Sequence, residues 1–149
     1  MDELSSPLGL KWRLPAFGLV ARELREKYEC KVPENREELK TLPGVGEYVA
    51  GAVLSVAFGK REWIVDSNIV RVFKRYFGIK TTGEGRRDKH VIEMAKLYVS
   101  TKKPAEANLG LLDFAALICI PGNPRCTSCP LCKTCYYYSR SGGQVCFAI

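Results

Sequence analysis

Apolar positions recur at steps of three and four along nearly the whole chain, and no strand-like alternation is sustained. Between Ala16 and Tyr28, Phe17, Val20, Ala21, Leu24 and Tyr28 fall on one side while Arg22, Arg25 and Glu26 fall on the other. That spacing predicts an amphipathic helix with Pro15 near its start. Asn35 followed by Glu38 has capping-box spacing and predicts a short helix to about Thr41. LPGVG then turns the chain, and Glu47 to Phe58 is so nearly apolar throughout that it is expected inside, with Gly59 ending it. Asp66 stands where an N-cap belongs, ahead of SNIVRVFKRYF. In that stretch Ile69, Phe73, Tyr76 and Phe77 share a face, and Gly78 closes the helix. Asp88 caps a further helix carrying Val91, Met94, Ala95 and Tyr98. The last helix, about Ala105 to Cys119, is expected to bury Leu109, Leu112 and Ala116. The fold class is all-α.

The 149 residues, 46% hydrophobic and 26% charged, fit one soluble domain able to bury its own core. The longest apolar run, Tyr48 to Phe58, is interrupted by Gly51 and Ser55 and falls well short of the roughly 20 residues of a membrane span. No secretion signal opens the chain, so a cytoplasmic location is expected. A net charge of +7, scattered from Lys11 to Arg140, favours a polyanionic partner.

Cysteine usage narrows the chemistry. Of seven cysteines, Cys119, Cys126, Cys129, Cys132 and Cys135 crowd together while Cys30 and Cys146 stand apart. An odd total without an export signal argues for metal rather than a disulfide framework. Cys119, Cys126, Cys129 and Cys135 have the spacing CX6CX2CX5C, and four thiolates in one loop suit a tetrahedral zinc or a [4Fe–4S] cluster alike. Cys132 is extra to that pattern and is read as a free thiol, Cys30 and Cys146 as unligated, and His90 as a solvated helix residue.

A helix, a Gly-x-Gly turn and a second helix form a helix-hairpin-helix. Its glycines leave the N–H groups at the second helix's start open, and the helix dipole adds partial positive charge there. Such a start grips a nucleic-acid backbone without reading sequence. Leu42, Gly44, Val45 and Gly46 are therefore predicted to contact DNA, with Arg125 and Lys133 of the cysteine loop meeting phosphates.

LPGVGEYVAGAVLSVAFGK, VDSNIVRVFKRYFG, NLGLLDFAALIC and the cysteine loop together resemble the helix-hairpin-helix DNA glycosylase superfamily of endonuclease III and MutY, from about Pro7 to Cys135. The resemblance implies a partial six-helix barrel over 1–103 with the hairpin at about 35–58, a C-terminal helix and cluster loop over 104–140, and a loose tail over 141–149. It makes the cysteine loop a [4Fe–4S] site and Asp66 the catalytic carboxylate. Bifunctional members carry lysine at the second position after GVG, where this chain has Tyr48. A phenol forms no Schiff base, so a monofunctional enzyme is implied. Tyr48, eighteen residues before Asp66, resembles the Mig-type thymine and uracil mismatch glycosylases. It is assigned to the flipped nucleotide, with Asn108 and Leu109 lining the base pocket. Glu47 is read as a solvated helix-start acid and Asp113 as structural. The implied partner is double-stranded DNA with a mismatched or damaged base. Full members carry further helices ahead of this segment, so a missing N-terminal half or a complementing subunit is expected. A MutY-like adenine glycosylase, a noncatalytic DNA-binding remnant and a zinc-loop module are the competing readings.

Overall fold

The computed structural model describes residues 14–142 apart from 82, so Pro7, Cys146 and the last seven residues lie outside it. Among the described residues there is no strand. The order is α1 (Leu14–Lys27), α2 (Arg36–Thr41), α3 (Glu47–Ala52), α4 (Ser67–Phe77), α5 (Lys89–Tyr98), α6 (Pro104–Leu117) and α7 (Tyr136–Arg140). α3 runs on directly into a π-helical turn, Val53–Ala57. Two short 3₁₀ turns, Cys126–Ser128 and Cys132–Thr134, shape the cysteine loop. No helix among the described residues is long and apolar enough to cross a membrane.

Local chemistry sets the helix ends. Asn35 Oδ1 accepts from the Glu38 N–H at 2.8 Å and starts α2. Asp88 accepts from the N–H groups of His90 and Val91 at the head of α5. Gly78 ends α4 at φ 72°, and a Cβ there would lie 2.8 Å from the Tyr136 ring, so both the turn and the docking of α7 need glycine. Beyond the last loop cysteine the chain adds an ordered turn of helix at 136–140.

Two apolar cores result. The larger gathers Ile64, Val65, Ile69, Val70, Val72 and Phe73 with Val91, Ala95, Leu111 and Ala115, bringing α5 and α6 onto α4. The smaller joins Leu39, Leu42, Ala50 and Leu54 beneath the hairpin, with Val20 and Leu24 of α1, and Tyr28 just beyond it, packed against it. α3 serves both, Ala50 and Leu54 facing the hairpin core and Ala52 packing on the larger one.

Two expectations of burial need correction. α6 buries Asn108, Leu111 and Ala115, while Leu109 and Ala116 are exposed and Leu112 is half-buried. That helix is apolar on nearly all sides, so periodicity carried no information about which side turns inward. α3 is buried on one side only, leaving Val49 and Val56 exposed. Phe77 and Tyr98 also lie exposed at the ends of their helices.

Candidate functional site

The hairpin is a two-glycine turn with distinct duties. Gly44 has φ +76°, a conformation costly for any residue with a Cβ. Gly46 is the N-cap of α3 in an extended conformation, makes no side-chain cap bond, and has open space where a Cβ would project. Bare backbone therefore fronts the start of α3. Val45 N–H closes the turn on Leu42 C=O at 3.1 Å, and buried Leu42 anchors it from below.

Asp66 starts α4. Its Oδ1 accepts from the N–H groups of Asn68 and Ile69 at 2.9 and 2.8 Å, and its Oδ2 accepts from Asn68 Nδ2 at 2.6 Å. The bonds that cap the helix also fix the carboxylate's orientation. Asn68 Oδ1 in turn accepts from Arg71 Nη1 at 2.8 Å, and Arg71 also donates to the carbonyls of Ala115 and Cys119, each at 2.9 Å. A continuous chain of hydrogen bonds thus joins Asp66 to the backbone of the first loop cysteine. Tyr48, on the first turn of α3, is 38% exposed. Its phenol is pushed above the ordinary value by burial and by the negative charge of Asp66, so it remains an O–H donor at neutral pH.

Arg36 ties the hairpin to the acid. Its guanidinium donates to the Glu47 carbonyl at 2.9 Å, the Glu47 carboxylate at 3.0 Å, the Glu62 carboxylate at 2.6 Å and the Trp63 carbonyl at 2.9 Å. It also stacks over Trp63, 4.1 Å from the ring centroid. Gly51 permits this, since a Cβ there would sit 2.1 Å from Trp63 O. Glu47, read as a solvated acid, is half of this clamp. Burial works to raise its pKa, but hydrogen bonds from Lys40 and Arg36 outweigh it and hold the carboxyl below the usual value.

Cys119, Cys126, Cys129 and Cys135 all line one cavity against Val72, Arg75 and Phe114, around about 350 Å³ not filled by protein atoms and partly open to solvent. Cys132, buried, is not among its walls. Burial and the neighbouring thiolates of Cys135, Cys129 and Cys119 raise the Cys126 thiol. Among the described residues no three Cys, His, Asp or Glu side chains converge as they would on a single ion.

A helix-hairpin-helix motif model matches residues 27–56, which span α2, the turn and α3. A thymine/uracil-DNA glycosylase of Methanothermobacter thermautotrophicus is 42% identical over 121 residues, 81% of this chain and 55% of that protein. A solved thermostable thymine-DNA glycosylase superposes with a TM-score of 0.76 at 38% identity, covering 87% of this chain and 59% of that one. Over more than four fifths of its length the chain is similar to helix-hairpin-helix DNA glycosylases. An endonuclease III captured as a covalent intermediate with DNA also matches, with a TM-score of 0.70 at 29% identity over 85% of this chain and 58% of that one. The chain spans between half and two thirds of the length of these relatives.

The remaining predicted residues fall in different settings. Asn108 is buried and donates through Nδ2 to the Glu62 carbonyl at 2.8 Å, bracing the segment that leads to Asp66. Leu109 is 46% exposed on the open side of α6. Arg125 is exposed at the rim of the cysteine cavity. Asp113 and His90 are exposed. Asn68, Arg71 and Arg36 were missed by sequence reasoning. The first two carry a signal, a polar residue two after the acid and an arginine three further on, whereas the reach of Arg36 crosses 27 positions to Trp63.

Proposed function

We propose that this chain is the hairpin-and-cysteine-loop portion of a monofunctional DNA glycosylase that hydrolyses the N-glycosidic bond of thymine or uracil mispaired with guanine. The observation that carries the proposal is Asp66, whose carboxylate three hydrogen bonds hold in one orientation at the head of α4. The hairpin backbone grips phosphates flanking an everted nucleotide, and Tyr48 holds that nucleotide. As the C1′–N bond breaks, its electron pair leaves with the base, which is protonated, and the Asp66 carboxylate stabilises the cationic sugar. Water then bonds to C1′ and gives up a proton, leaving an abasic site. No amine stands at position 48 to open a lyase branch.

Cys119, Cys126, Cys129 and Cys135 line one cavity and have the CX6CX2CX5C spacing of the iron–sulfur loop, which supports a [4Fe–4S] cluster held by these four thiols. Such a cluster supplies cross-linking of the loop, which places Arg125 for a phosphate. The exposed sides of α3 and α6, with Val49, Val56, Leu109 and Leu117, are the seat for helices completing the barrel.

Duplexes carrying G:T, G:U, or adenine opposite guanine or its 8-oxo form test the proposal, with the chain alone and with a polypeptide supplying the completing helices. Alkali-dependent scission of the G:T and G:U duplexes only is expected. Scission confined to adenine duplexes replaces the substrate. Salt-dependent binding with no excision in the completed protein removes the enzymatic reading.

A further inference from the structure

Arg75 lies one turn beyond Arg71 on α4 and reaches the same segment after α6. Its Nη1 donates to the Ile120 carbonyl at 2.7 Å and the Cys119 carbonyl at 3.4 Å, and lies 3.6 Å from Cys119 Sγ. Its Nη2 is 3.4 Å from the Gly122 carbonyl, and the Tyr137 ring stacks against the guanidinium at 5.1 Å. Arg71 already holds the Cys119 carbonyl, so what sets Arg75 apart is a cation directed at the sulfur. Its partners among the described residues are carbonyl oxygens, one sulfur and a ring, none of them a carboxylate that would offset its charge. It also lines the cavity framed by the four thiols.

We propose that Arg75 positions Cys119 and tunes the charge of a cluster bound in this cavity, an inference resting on the [4Fe–4S] reading above. An N–H and a fixed positive charge beside a ligand sulfur favour the state carrying one more electron, so Arg75 raises the reduction potential. Carbonyls from Cys119 to Gly122, gathered on one guanidinium, hold the ligand in place and slow loss of iron. Tyr137 shields the cation from water and keeps its effect strong.

The test uses the full chain, purified anaerobically, as wild type, Arg75→Gln and Arg75→Lys. Iron, acid-labile sulfide and absorbance near 400 nm are measured first, then the one-electron potential of the loaded fraction at an electrode, then iron release to a chelator. For R75Q the expected shift toward the oxidised form is about tenfold, 59 mV lower for a one-electron couple, with iron released about tenfold faster. R75K keeps the charge without the planar fork, and shifts both in the same direction by about threefold. A residue acting only in folding lowers loading without moving the potential of the loaded fraction. Unchanged potentials in both variants therefore overturn the proposal, and R75K alone decides on the same terms if R75Q does not load. A wild type without iron and sulfide overturns the cluster reading and this inference with it, whereas an iron-loaded wild type with unshifted variants overturns the role of Arg75 only.

Discussion

Replacing Asp66 by Asn separates the two tasks of that side chain, because asparagine is as good an N-cap as aspartate but carries no charge. The new carbonyl keeps the bonds from the Asn68 and Ile69 N–H groups, now at 2.9 and 2.8 Å. The new amide nitrogen, however, faces Asn68 Nδ2, which lies 2.6 Å from the oxygen it replaces. Asn68 cannot turn its amide over, because its Oδ1 already accepts from Arg71. One charge-assisted bond is lost, worth about 1.5–3 kcal/mol, along with a favourable charge at a helix start of about 0.3–1 kcal/mol. Allowing for partial exposure of the pair, Asp66→Asn is expected to destabilise by about 1–3 kcal/mol. In an Asn68→Ala background the donor-donor conflict is gone, and the same change should cost less than about 1 kcal/mol. Urea unfolding followed by circular dichroism gives the four corners of this cycle. Equal costs with and without Asn68 would refute the hydrogen-bond chain. In the completed protein the single variant should stay folded and lose excision, and retained turnover would refute the role of the charge.

Gly78→Ala should destabilise by about 1–3 kcal/mol, since the residue sits at φ 72° and its Cβ would press on Tyr136. Pairing it with Tyr136→Ala should remove the steric part, as the same melts will show. Arg36→Lys should cost about 2–3 kcal/mol, because one ammonium cannot serve two carboxylates and two carbonyls and leaves Glu62 and Trp63 O poorly matched. Lysine performing as well as arginine in urea would overturn the clamp. For Glu47, whose folded pKa lies below the ordinary carboxylate value, stability from the ionised form is complete above the unfolded pKa. It is lost as pH falls through the lowered folded one. Wild type should therefore lead Glu47→Gln at neutral pH by no more than about 1 kcal/mol, given the group's exposure. That lead should shrink on acidification, and a gap in urea midpoints that widens toward low pH would contradict the assignment.

Much of the framework was legible because it is written locally. Asn35, Asp66 and Asp88 each sit within three residues of the N–H groups they cap, and Gly44 and Gly78 declare their turns by lacking a side chain. The cysteine spacing placed four thiols around one cavity and left Cys132 out of it. What escaped was long-range or directionless. The partners of Arg36 lie 11, 26 and 27 positions away, and the hydrogen-bond partners of Arg75 lie 44 to 47 away, distances at which spacing carries no signal. On α6 the buried polar residue Asn108 marked the inward face, but only its bond to Glu62 O reveals that. Leu109, chosen for the core as well as for the pocket, stands open.

If the turn holds a phosphate and Asp66 faces the sugar, the close backbone approach at Gly51 and the guanidinium beside it make a ruler between those two places on a nucleic-acid strand. Under the proposed function that spacing is fixed before any substrate arrives. Altered base preference must then come from side chains hung on the ruler, such as residue 48, while changes to the ruler itself shift the point of attack along the strand for every base alike.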